Sequence, residues 1–180
     1  MVTEGLIKVL RGIGHARIKM KITKHGERSY FAGWAGLDLH FNVWWPVSPP
    51  KAAAILIHGY AEHHLRYKYI IDRLTESGIC VYAYDQRGHG RSEGMRGDVV
   101  RFKDLVYDLA TLVEYSKEHS PGLKIFLIAH SLGASVAASF GATHPELGGI
   151  ITTGIYVSDT EGYNPLKKWG YALDSGTPHM

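Results

Sequence analysis

Apolar positions along this chain change period several times, and the changes mark out its elements. HARIKMKITK (15–24) and DLHFNVWW (38–45) alternate apolar and polar residues, the period of half-buried strands, and Gly33 and Gly36 mark turns between them. AAAILIHG (52–59) is instead a continuous apolar run, as expected of a strand buried on both faces. Residues 63–77 set Leu65, Tyr69, Ile70 and Leu74 at helical spacing, and Gly78 follows as a stop. ICVYAYD (79–85) reads as a second buried strand. Leu105, Val106, Leu109, Leu112 and Val113 form a helical stripe over 101–119, ended by Ser120-Pro121-Gly122. KIFLIAH (124–130) is a strand, 132–144 a helix halted before Pro145, and GGIITTG (148–154) a last short strand.

Strands alternating with helices predict an α/β architecture: a mostly parallel sheet, helices on both faces, and an antiparallel entry. In such sheets, sites collect at the carboxyl ends of the strands. Three polar stretches fall there: His58-Gly59-Tyr60, Asp85 to Gly97, and His130-Ser131.

Composition narrows the classes. With 180 residues, 45% hydrophobic and 21% charged, the chain suits one soluble domain, and a net charge of +3 gives no case for nucleic acid. No apolar run reaches the 18 or so residues that span a bilayer. The one cysteine, Cys80, has no internal partner, which points to a reducing, cytoplasmic setting and an inert thiol. The first 28 residues are basic, with seven Lys and Arg against Glu4 and Glu27; they read as a solvated strand and arm, with peripheral contact to an anionic membrane as the alternative.

AHSLG (129–133) lies between an apolar strand and a helix of small residues, the setting of a nucleophile elbow. Ala129 and Gly133 are small enough to let strand and helix meet at a strained turn, so Ser131 is the candidate nucleophile. The helix start offers the Leu132 N–H to a developing oxyanion, and the loop after the third strand, HGYAEHHLRY (58–67), can supply a second donor, the Tyr60 N–H. Reading Ser131 as a helix N-cap is the structural alternative. His58, His63 and His64 do not read as metal ligands, because no cysteine or paired carboxylate is clustered with them and His63 and His64 point apart. Gly88, Gly90 and Gly94 in YDQRGHGRSEGMRG (84–97) have the wrong spacing for a dinucleotide loop; Asp85 and Arg87 are expected to fix that loop by hydrogen bonds. No metal or cofactor is expected.

These three stretches together resemble the α/β-hydrolase superfamily and its monoacylglycerol lipase-like branch, whose motifs are H-G-x-G-E-H-x-x-R-Y, D-x-R-G-H-G-x-S-x-G-x-R-G and G-H-S-M-G-G. The resemblance covers residues 34–154, matching His58, Gly59, Asp85, Arg87, Gly88, His130, Ser131 and Gly133; Ala61, Ala129, Leu132 and Ala134 depart from the pattern. It implies hydrolysis of lipid esters, with Ser131 as nucleophile and Tyr60 and Leu132 as oxyanion hole. It also implies a lid, two further strands, an aspartate and a histidine beyond Met180, so the chain is expected to be a truncated α/β-hydrolase fold, weak or inactive as it stands. Asp174 and His179 are the substitutes within reach for the missing acid and base. The expected organisation is a basic arm and first strand (1–27), a truncated core (28–157), and the start of a lid or a frayed tail (158–180). The alternatives are a non-catalytic relic or interaction module and a small-ester hydrolase or peptidase of the same fold. A small lipid ester is the expected substrate, and self-association through an exposed last strand the expected contact.

Overall fold

The computed structural model describes residues 18–23, 26–97 and 101–155, with side chains from residue 29 onward. Seven strands form one sheet in the order β1-β2-β3-β5-β4-β6-β7. They are β1 (Ile18–Thr23), β2 (Gly26–Ala32), β3 (Asp38–Trp44), β4 (Ala52–Ile57), β5 (Ile79–Tyr84), β6 (Ile125–His130) and β7 (Gly149–Thr153). β5, β4, β6 and β7 run parallel, and β3, β2 and β1 extend the sheet antiparallel. The sheet therefore has the expected α/β character, with its parallel half carrying the three stretches singled out above.

The apolar runs of β4 and β5 are buried because helices cover both faces. Ile55, Ile57, Tyr82 and Tyr84 pack on one face with Leu105, Leu109 and Val113 of α2 (Phe102–His119) and with Val136, Ala137 and Phe140 of α3 (Leu132–Gly141). Leu56, Val81 and Ala83 point to the opposite face, where Ile71 and Leu74 of α1 (Lys68–Glu76) close a smaller core. Alternation along one strand thus feeds two cores.

Two elements differ from the sequence reading. β2 was not anticipated: GERSYFA opens on a charged pair and then buries the adjacent residues Tyr30 and Phe31, so it shows no period of two. Its register, Ser29↔Phe41 and Phe31↔Leu39, inserts it between β1 and β3. The helix expected over 63–77 begins with a 3-10 turn, His64–Tyr67, before α1. His64 bonds the Asp85 carboxylate through both its backbone N–H and its ring, which draws this first turn inward.

β7 hydrogen-bonds β6 along one side and, among the described residues, forms the end of the sheet. Ile150, Ile151 and Ile155 are exposed there.

Candidate active site

Ser131 is the junction between β6 and α3, and its backbone is unusual. Its φ of 50° and ψ of −115° lie in a region that residues with a Cβ rarely occupy. Three contacts hold it there. The Ser131 N–H donates to the Thr153 carbonyl at 2.9 Å, tying the turn to β7. The Ser131 carbonyl accepts from the Ala134 and Ser135 N–H groups, starting the helix. A side chain at Gly133 would run into the Ile57 and His58 carbonyl oxygens, so glycine there lets α3 press against the end of β4. Half-buried Ser131 makes no side-chain cap to the helix, which removes the N-cap reading of its hydroxyl. As the first residue of α3, Leu132 has no intrahelical acceptor for its N–H.

The loop after β4 lies against this turn. A Cβ built on Gly59 would stand 3.2 Å from Ser131 Cβ and 3.2 Å from the His130 ring and would displace the Glu62 carboxylate, so glycine lets this loop pack closely on the serine turn. The Gly59 N–H donates to Glu62 Oε1 at 3.0 Å, and the Tyr67 hydroxyl donates to the same oxygen at 3.0 Å. Burial, reinforced by Glu62, pushes the Tyr67 hydroxyl up to about 12, so it stays a donor. Ala61 takes φ 57°, a left-handed conformation better suited to the glycine of the related motif. Tyr60 extends to a third loop, the one after β5 (85–97), where its hydroxyl donates to the Gly97 carbonyl at 3.1 Å.

His58 is fully buried and its bonds fix its tautomer. Nε2 accepts the Gln86 N–H at 2.9 Å, so Nδ1 carries the proton and donates to the Gly59 carbonyl at 2.6 Å. Burial lowers this imidazole to about 4, leaving it neutral at physiological pH.

Asp85 and Arg87 anchor the third loop. The Asp85 carboxylate accepts the His64 ring N–H at 2.6 Å, the His64 backbone N–H at 3.0 Å and the Arg91 N–H at 2.8 Å, with His40 Nδ1 at 3.4 Å. Burial works against its charge, but the His40 ring beside it and the bonds from His64 and the Arg91 N–H outweigh that and hold the carboxyl below the usual range. Gly90 packs so tightly on this carboxylate that no side chain could replace its hydrogen. Arg87 forms a two-pronged bond to Asp108, at 2.6 and 2.8 Å, and reaches Asp104 Oδ2 and the Trp34 carbonyl. Gly88, at φ 71°, donates its N–H to the Glu93 carbonyl and accepts from Gly97, closing the loop on itself.

One ground for setting metal ligation aside does not hold: a carboxylate, Asp85, is clustered with His64. The sequence hid this, because His64 lies in the 3-10 turn after β4 and Asp85 at the end of β5, 21 residues further on. His40, His64 and Asp85 offer ligand atoms within 4.8 Å of one another, although the His64 nitrogen and the carboxylate are already engaged with each other. Glu62 and Gln86 also went unrecognised; Glu62 stands at a fixed position of its motif, whereas Gln86 fills an unspecified one and carries no signal.

His130 turns outward, with Nδ1 2.9 Å from Thr153 Oγ1. With Glu62, Arg66, Tyr67, Tyr69 and Ile70 it borders an open cleft of about 390 Å³ beside the serine turn. Asp174 and His179 lie outside the described residues. The structure therefore brings His58, Gly59, Tyr60, Ser131, Leu132 and Gly133 together, and sets Asp85, Arg87 and Gly88 behind them as supports.

Residues 48–176 match the family described as serine aminopeptidase, S33. The chain is 36% identical over 137 residues to a monoacylglycerol lipase of Mycolicibacterium smegmatis, covering 76% of this chain and 49% of that protein. It is 36% identical over 110 residues to the monoglyceride lipase of Homo sapiens, covering 61% of this chain and 36% of that one. Among solved structures, the monoacylglycerol lipase of Paleococcus ferrophilus superposes with a TM-score of 0.60 at 28% identity, over 72% of this chain and 48% of that one. The chain thus spans about half the length, or less, of the relatives it matches.

Proposed function

The chain belongs to the serine aminopeptidase, S33 family of α/β-hydrolases, and from that premise we propose that it carries the nucleophile and oxyanion hole of a lipid-ester hydrolase of the monoacylglycerol lipase kind. The observation that carries this reading is Ser131, a non-glycine residue held at φ 50° with the Gly59 loop packed against its Cβ. Such a backbone costs about 1–3 kcal/mol and persists where the surroundings over-determine it. In the proposed reaction the Ser131 oxygen attacks the ester carbonyl carbon. Its proton passes to a base and then to the departing glycerol oxygen, and water later cleaves the acyl-serine bond. Negative charge on the carbonyl oxygen would be met by the Tyr60 and Leu132 N–H groups. The family resemblance places the acid and base of this scheme beyond Met180; within this sequence Asp174 and His179 are their proposed substitutes.

A fluorophosphonate tests this directly, because it bonds only an activated serine. The purified chain should label slowly, as befits a serine whose family base is expected beyond Met180, with the adduct mapping by mass spectrometry to the peptide containing Ser131. A folded sample that does not label, or one labelled elsewhere, overturns the reading. Slow labelling unchanged in His179→Ala would remove His179 from the scheme.

Two contacts belong to the same proposal. No helix among the described residues is long and apolar enough to cross a membrane; the basic residues of the first 28 are proposed to give peripheral contact with an anionic lipid surface, where such substrates reside. The edge of β7 that no other described strand pairs is proposed to pair with another copy. Gly148–Ile155 has no charged residue to oppose its own image, and Ile151 is 56% exposed. Light scattering should find dimers or larger species at tens of micromolar, and Ile151→Lys should shift them toward monomer. A wild-type chain that stays monomeric at that concentration refutes the pairing.

A further inference from the structure

Of the two proposed oxyanion donors, the Tyr60 N–H lies in a loop and must be aimed at the serine turn. We infer that His58 and Gln86 are positioning residues that set the orientation of the Gly59–Tyr60 peptide beside Ser131. The inference rests on the proposed catalytic reading, because only an acyl-transfer site needs this peptide turned one way.

A trans peptide is planar, and its C=O and N–H point in opposite directions. Whatever holds the Gly59 carbonyl therefore also aims the Tyr60 N–H. The His58 Nδ1–H donates to that carbonyl at 2.6 Å. The imidazole cannot turn over, because its Nε2 receives the Gln86 N–H at 2.9 Å. The Gln86 side chain closes the clamp from the other end, donating through Nε2 to the His58 carbonyl at 2.6 Å. On the far side of Gly59, its N–H is held by Glu62, so both peptide planes flanking this residue are tied. His89 packs edge-on against the His58 and Tyr60 rings, at 5.4 Å from each, and confines the movement left to them.

Two features separate this clamp from ordinary core packing. Both ring nitrogens of His58 are used within the protein, and the ring is fully buried, so it has no free atom with which to act as an acid, a base or a ligand. Gln86 is also fully buried, and its Oε1 has no partner among the described residues. A buried amide oxygen left unsatisfied is costly, and leucine would fill the same space without that cost. The amide is explained by its one bond, to the residue that holds the Gly59 carbonyl.

The test is the second-order rate of phosphonylation of Ser131 in folded protein, together with the tautomer of His58 by long-range proton–nitrogen NMR. Wild-type His58 should show a single neutral Nδ1–H tautomer from pH 7 to pH 5. His58→Phe should label about 10²–10³-fold more slowly, the loss typical of one oxyanion donor. His58→Asn, whose amide can still reach the Gly59 carbonyl, should recover part of that rate, and Gln86→Leu should fall between. If wild type labels and folded His58→Phe and Gln86→Leu label as fast, the clamp does not aim the peptide and the inference fails alone. An Nε2–H tautomer or a charged ring at pH 6 also overturns it, without any variant having to fold. If wild type does not label, the catalytic reading itself has failed.

Discussion

Ser131→Ala should lose phosphonate labelling and any ester hydrolysis to background, about 10⁶-fold where a working base is present, with almost no change in stability. The hydroxyl caps no helix N–H, and alanine suffers the same backbone angles as serine. Removing it therefore touches the chemistry and little else, within about 0.5 kcal/mol. Ser131→Gly separates strain from function. It should be as inactive as alanine but more stable, because glycine occupies φ 50° without a Cβ penalty. Releasing about 1–3 kcal/mol of strain against about 1 kcal/mol of added chain entropy leaves a gain near 1 kcal/mol. For a chain of this length, that gain raises the melting temperature by about 2–4 °C. Activity and stability thus move in opposite directions at a single position. A glycine variant that melts lower than wild type would show that this turn is relaxed, and would take away the observation on which the catalytic reading rests.

The serine turn was legible in the sequence because its requirements are local. A strand must end, a helix must begin, and the residues two before and two after must be small; Ala129, Ser131 and Gly133 state all of this within five positions. β4 and β5 were legible for a similar reason, since burial on both faces writes itself as an unbroken apolar run. What the sequence concealed is everything that depends on strand order. β5 lies between β3 and β4, so Asp85 at its end meets His40 from β3 and His64 from the loop after β4. No periodicity or spacing in the chain announces that meeting. The same neighbourhood joins Gln86 to His58, 28 residues earlier. β2 escaped for a different reason: with Glu27 and Arg28 at its start and two successive aromatics buried, it lacks the alternation by which strands are recognised. The strained serine corner could be read from sequence, and the shell around it had to be seen.

That shell carries the largest stability effect expected of any single side chain near the site. Asp85→Ala should cost about 3–5 kcal/mol, because it strands the His64 ring N–H and the His64 backbone N–H in a buried place and takes the acceptor from the part-buried Arg91 N–H. Set against a total of about 5–15 kcal/mol, this leaves a marginal protein. Asp85→Asn keeps the volume and one acceptor but turns an amide N–H toward one of the donors, so its cost should be smaller, about 1–3 kcal/mol. The carboxylate also determines where acid unfolds the chain. Its folded pKa lies below the unfolded value of 3.8, so its contribution is complete above that pH and is lost as the pH falls below it. Three other buried groups titrate at higher pH. His58, lowered from 6.5 to about 4, costs stability as the pH falls through that interval, and His89, also lowered by burial, acts in the same direction. Asp108, pushed up by burial from 3.8 to about 6, gains stability over nearly the same interval as it protonates and offsets part of that loss. Urea unfolding should therefore give a stability that declines gently from pH 7 to about 4.5 and falls steeply below 4. In Asp85→Ala, measured over the same range, the gentle limb should be lower and the steep limb much reduced. An undiminished fall below pH 4 in that variant would mean that the acid sensitivity, and with it the energetic role assigned to this carboxylate, resides elsewhere.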